Sequence, residues 1–163
     1  MATLAAGCVT YPCDEDVLEC KEGEALEVDA SCEAEGPLEL QVLEMDTLAP
    51  VPADAWPTVH EGPQGGQHFS LALRVTGLQP EHLAFSLQLD ALECVDGACE
   101  ASVELGHRTL NADAKILEED GDGFVLPDVV VMLERAPEGD GVLYVEANDA
   151  CGQHARLQLR AQP

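Results

Sequence analysis

Leu83-Ala84-Phe85-Ser86-Leu87-Gln88-Leu89-Asp90 places an apolar side chain at every second position, with small or polar residues between. Phe69-Ser70-Leu71-Ala72-Leu73-Arg74-Val75 does the same fourteen residues earlier. A period of two puts all the large apolar groups on one side of an extended chain, so each stretch reads as a half-buried β-strand with one face to a core and one to water.

Outward from these two, the same period recurs. Leu26, Val28, Ala30 and Cys32 alternate with acids and serine, and so do Cys99, Ala101, Val103 and Leu105. Leu110, Ala112, Ala114 and Ile116 follow, then Val129, Val131 and Leu133, then Leu143, Val145 and Ala147, and last Leu157 and Leu159. With residues 38–45 this makes nine candidate strands. In that segment Leu38, Leu40 and Val42 are in phase but Leu43 and Met45 are not, which predicts a bulge or bend. Turn signals separate the runs, among them Gly36-Pro37, Asp96-Gly97, Gly121-Asp122-Gly123 and Gly139-Asp140-Gly141. Short, regularly spaced strands with polar turns predict an all-β protein, an immunoglobulin-like or fibronectin-like antiparallel sandwich of two sheets, with a jelly roll as the nearest alternative. The expected division is an N-terminal segment over residues 1–23 and one sandwich domain over residues 24–163.

Seven cysteines point to disulfide staples and an oxidising compartment. Cys94 and Cys99 flank the Asp-Gly turn of an expected hairpin, where facing side chains can bridge. Cys13 and Cys20 are expected to close a small N-terminal loop, leaving Cys32 to reach Cys151. The seventh has its own reading. Leu4-Ala5-Ala6-Gly7-Cys8 is similar to the end of a bacterial lipoprotein signal, with Ala5 where leucine is usual, and makes Cys8 a lipidation candidate. That reading implies an export signal longer than the residues before Cys8. The cysteines lack C-x-x-C spacing, which argues against a structural zinc site.

Thirty-two acids against seven bases give a formal net charge of −25. Such a surface repels nucleic acid and anionic lipid and suits cationic partners or divalent metals. A membrane contact is expected only through a lipid anchor. No Gly-x-Ser-x-Gly elbow, phosphate-binding Gly-rich loop or His-Glu-x-x-His helix occurs, so no catalytic residue is assigned and the chain is read as a non-enzyme. Glu118, Asp120, Asp122 and Gly123 imitate the first half of a calcium loop, but Val129 stands where the closing glutamate belongs, and an acidic β-turn explains the same residues.

The long irregular stretch, residues 46–67, holds four prolines and Trp56, and reads either as a functional loop or as a crossover between sheets. At its end, His60-Glu61-Gly62-Pro63-Gln64-Gly65-Gly66-Gln67-His68 brackets a turn with two imidazoles. Folding back there would bring His60 and His68 onto one ion, Cu²⁺, Zn²⁺ or Ni²⁺, with Glu61 as an added oxygen ligand. The competing reading has His68 opening a strand and His60 facing water. His82, His107 and His154 read as ordinary surface residues. Residues 60–75 resemble a recurring stretch of uncharacterised secreted bacterial lipoproteins, in which a Gly-Pro-Gln-Gly-Gly turn leads to a histidine and a strand. The resemblance covers about a tenth of the chain; it implies envelope location and no activity. The expected function is a non-catalytic extracytoplasmic binding or structural module, a cell-envelope lipoprotein at the outer membrane, periplasm or surface, with an unknown protein or cationic partner. The alternative is a metal-binding (Cu, Zn or Ca) periplasmic or surface protein; no other cofactor is expected.

Overall fold

The computed structural model describes residues 26, 28–34, 36–79, 81–95, 98–112 and 115–162. Cys8, Cys13 and Cys20, the Asp96-Gly97 turn and the expected 1–23 segment lie outside these. Among the described residues the chain forms nine strands and no helix: β1 (Glu39–Glu44), β2 (Val59–Glu61), β3 (Gln67–Thr76), β4 (Phe85–Val95), β5 (Ala98–Ala112), β6 (Glu118–Asp120), β7 (Gly123–Leu133), β8 (Gly141–Asp149) and β9 (His154–Ala161). One sheet has the order β1-β3-β7-β6, with β2 also on β3, and the other the order β5-β4-β8-β9. All these pairings are antiparallel.

Hairpins join β4 to β5, β6 to β7 and β8 to β9, while the chain changes sheet between β3 and β4, β5 and β6, and β7 and β8. Taking β1 and β2 together as strand A, the orders read A-B-E-D and C′-C-F-G, the Greek-key arrangement of an immunoglobulin-type sandwich. With no helix to cover them, the apolar faces must cover each other. Phe69, Leu71, Leu73 and Val75 of β3 meet Phe85, Leu87 and Leu89 of β4 and Leu143 and Val145 of β8 in one core. Each is almost wholly shielded from water, and burial of such a side chain is worth about 1.5–3 kcal/mol.

Local chemistry decides where strands fail to form. The expected strand over Leu26, Val28, Ala30 and Cys32 is absent: the Asp29 carboxylate accepts hydrogen bonds from the Ser31 amide (2.8 Å) and hydroxyl (2.6 Å), and this turn competes with strand pairing. The expected strands at Cys99 and Leu110 are one bent strand, β5. Its bend lies at Gly106, where the register against β4 shifts and a Cβ would stand 2.3 Å from the Met132 carbonyl oxygen. Beyond it the β4–β5 hairpin projects past the opposite sheet, which leaves Ala101 and Val103 exposed. Leu43 causes no bulge, since β1 and β3 stay in register throughout β1. It packs with Ala72, Val125 and Met45 in a small second cluster on the outer face.

The proline-rich stretch is not a crossover between the sheets: it leaves from β1 and returns as β2, both paired with β3 in one sheet, and it touches the edge of the other sheet on the way. Pro50 bridges to Leu43 of β1, and Ala55 bridges in parallel to Gln162 just past β9, so a few residues span both sheets. Trp56 follows and stacks on Phe69, ring centres 6.0 Å apart. Its indole N–H donates to the Gly139 carbonyl at 3.0 Å. A Cβ at position 141 would lie 2.1 Å from the Trp56 ring, so only glycine admits the indole there.

Two disulfides form among the described residues, Cys94–Cys99 and Cys32–Cys151, as expected. Neither links the two central strands through the core. Cys94–Cys99 staples the projecting hairpin. Cys32–Cys151 ties the segment before β1 to the β8–β9 turn, where the Asp29 amide also donates to the Ala150 carbonyl (2.7 Å). The fully buried Asp149 carboxylate organises that turn by accepting from the amides of Cys151 (3.0 Å) and Gln153 (2.7 Å). Disulfides of this kind belong to oxidising, extracytoplasmic compartments.

Cys32–Cys151 closes a separation of 119 residues and Cys94–Cys99 one of 5. On the chain-entropy model their removal costs about 5 and about 2 kcal/mol respectively. Urea denaturation of Cys32→Ala/Cys151→Ala and Cys94→Ala/Cys99→Ala should therefore place the first double variant well below the second. The reverse order would mean that the long staple joins parts already held together.

Candidate functional site

On one side of the sandwich the sheets end in β1 and β9, and the two edges do not close. Leu40 of β1 and Leu157 and Leu159 of β9 belong to the inward-facing set yet remain half-buried. With buried Val42 and Val51 they form the apolar floor of a cleft of about 540 Å³. The proline-rich β1–β2 connection closes one end: the Val51 amide donates to the Val42 carbonyl (3.0 Å) and the Gln162 amide to the Asp54 carbonyl (3.2 Å). Elsewhere, over residues 39–41 and along β9, the outer edges pair with no other strand among the described residues. Their backbone groups flank the floor from both sides.

The rim is acidic. Arg74 reaches it from β3, but its guanidinium is held by Asp120 (3.1 Å) and Asp122 (2.9 Å). The pair of acids outweighs the single base, and Glu39 lies on the same rim. These contacts also settle the calcium-like residues: Glu118, Asp120 and Asp122 belong to the β6–β7 hairpin, with Arg74 bound to two of them.

A buried carboxylate holds the loop between β7 and β8. Glu93 of β4 accepts from the amides of Glu138 (2.8 Å) and Gly139 (2.6 Å) and pairs with Arg135. The Arg135 guanidinium, and after it the two amides, hold its carboxyl below the ordinary glutamate range against the opposing effect of burial. Trp56 bonds the same loop through Gly139, so core plug and carboxylate cap act on one turn.

His60 and His68 stand directly opposite each other across β2 and β3, with ring centres 5.8 Å apart and planes 27° from parallel. The hairpin between them is closed by Gly62 N–H to the Gly66 carbonyl (2.7 Å) and Gly65 N–H to the Gly62 carbonyl (2.9 Å). The fold-back expected of the turn is present. Glu61 does not join the pair: it is opposite Gln67, and strand alternation sends its side chain to the other face. Among the described residues no group of three or more His, Cys, Asp or Glu side chains is placed to hold a metal.

His107 has partners that its sequence neighbours did not reveal. Its Nδ1 meets the Asp90 carboxylate across the β4–β5 ladder, and its Nε2 lies 2.9 Å from the Thr109 hydroxyl. His82 lies 3.6 Å from Asp29. The register Asp90↔His107 creates the first contact, so only strand pairing could have shown it. A hydroxyl, an imidazole and a carboxylate in this order imitate a hydrolytic triad. Here they stand on an open sheet face, whereas backbone N–H groups of a strand lie in the sheet plane.

Together these features define an immunoglobulin-type β-sandwich with an open, acidic-rimmed cleft between its two edge strands. No protein-family model matches the chain. A search of curated proteins likewise finds no match.

The Glu93 cap has a pH signature. Because its folded pKa is depressed, its stabilisation is fully present above the unfolded value of about 4.3 and is lost as pH falls through the folded value. Glu93→Gln should lower unfolding free energy at pH 7 by about 1–2 kcal/mol, since hydrogen bonds to a charged group are lost. The gap to the wild type should narrow below about pH 4. Denaturation curves at pH 7, 5 and 3.5 measure it, and a gap that stays constant with pH would remove the carboxylate as its cause.

Proposed function

We propose that the chain is a non-catalytic extracytoplasmic binding module of the bacterial cell envelope, carried on a lipid at Cys8. It takes up an extended, positively charged segment of a partner protein in the cleft between β1 and β9. One observation carries the reading: two unpaired strand edges flank a single apolar floor. A strand laid there gains backbone hydrogen bonds for affinity and places alternate side chains on the floor for selectivity. The acidic rim and the net charge of −25 favour lysine or arginine at the positions between. The same charge disfavours nucleic acid. Attachment in this reading is by the lipid at Cys8; among the described residues no helix is long and apolar enough to cross a membrane. Two disulfides suit an envelope location.

An acetylated (Val-Lys)₄ peptide amide is the probe for the cleft. In heteronuclear NMR titrations it should shift backbone resonances of residues 39–42 and 156–160, and Leu159→Lys should abolish the effect. Shifts scattered over the acidic surface, or equal effects from a (Val-Glu)₄ peptide, would reject strand capture.

Anchoring is tested separately. Expressed in a bacterium from its full gene, the wild-type protein should enter the detergent phase on Triton X-114 partitioning, and Cys8→Ser should move it to the aqueous phase. Identical partitioning of the two would end the lipoprotein reading.

A further inference from the structure

The cleft does not use the outer face of the first sheet, where strand register sets a third potential ligand beside the two histidines. His68 is opposite His60 on β2 and also opposite Met132 on β7. Directly opposed residues project to the same side of a sheet, and neighbouring strands lie about 5 Å apart. The result is a row of imidazole, imidazole and thioether across three adjacent strands. Its face is the outer one, because the flanking residues Phe69 and Val131 point into the core.

Met132 is 57% exposed and belongs to neither apolar cluster, so its thioether is open to solvent. Its methyl carbon leans toward the β2–β3 hairpin, 3.3 Å from where a Cβ on Gly66 would sit. The end of the Met132 side chain therefore lies beside the turn that leads into β3, two residues before His68. Neither histidine ring has a hydrogen bond or ion pair with another described residue, so their ring nitrogens are not already engaged there. With metal–imidazole bonds of about 2 Å, one ion joins two rings whose centres are up to about 6 Å apart. The observed 5.8 Å falls within that reach, and chelation requires the two imidazoles to turn out of their stacked arrangement so that a nitrogen of each faces the ion.

We infer that His60, His68 and Met132 form a binding site for a single copper(I) ion. The donor set selects the metal. Two neutral imidazoles and a thioether carry no charge and include a soft donor, which suits Cu(I) and gives Zn²⁺ or Ca²⁺ little. Glu61, which would have favoured a harder divalent ion, faces away. The ladder pre-organises all three residues, since each sits inside a paired strand. The site is independent of the cleft and of Cys8.

The test is an anaerobic titration of the full chain with Cu(I) against bicinchoninate, after free thiols are blocked with iodoacetamide. One Cu(I) per chain should bind, and His68→Ala and Met132→Leu should each weaken it at least tenfold. Weak Zn²⁺ binding by the acidic surface should be unchanged in Met132→Leu. In the wild type, the Met132 methyl resonance should shift on Cu(I) addition, a readout that needs no variant to fold. Equal Cu(I) affinity in all three proteins, or an unmoved methyl resonance, overturns the site.

Discussion

Every long strand in this protein carries one face that water rejects, and among the described residues there is no helix to cover it. Phe69, Leu71, Leu73 and Val75 can be shielded only by another sheet, and β4 and β8 supply it. That requirement fixes the two-layer arrangement, and most other features are consequences of joining two sheets by short connections. Trp56 fills the end of the layer where the β1–β2 connection passes, and Gly141 makes room for it. The core contains no staple between the two central strands; its inward positions there are leucine, valine and phenylalanine. The disulfides are spent instead at the periphery, on a projecting hairpin and on the segment before β1.

The same arrangement creates the cleft. A twisted sandwich closes easily where strands are long, but β1 is only six residues long and its partner segment turns away after Val51. Leu157 and Leu159 of β9 are thus left partly uncovered. An exposed strand edge is normally blunted by charge or covered, because it templates pairing with other chains. Here the acidic rim supplies the charge, which repels further copies of this acidic chain.

Acidic residues otherwise divide into two populations. Most are solvated and repel one another. A few act as fixed acceptors for backbone amides: Glu93 for the β7–β8 loop, Asp149 for the β8–β9 turn and Asp29 for the segment before β1. Serine bonds hold the Asp29 carboxyl low, as arginine does for Glu93. A carboxylate can replace several lost backbone partners at a turn.

The alternation in residues 69–75 and 83–89 determined the fold class by itself, because a period of two leaves no other way to bury leucine and phenylalanine. The cysteine spacing likewise pointed to Cys94–Cys99, whose partners are five residues apart, whereas the pairing of Cys32 with Cys151 across 119 residues is decided by the fold. Local hydrogen bonding overruled the pattern at Asp29 and Ser31, and a close backbone approach merged two expected strands at Gly106. The His60–His68 pair was legible because its turn is local. Its neighbour Met132, the Asp90–His107 contact and the facing edges of β1 and β9 were not. Each joins residues from strands whose register depends on the whole sheet, and register is decided by which faces the tertiary core buries.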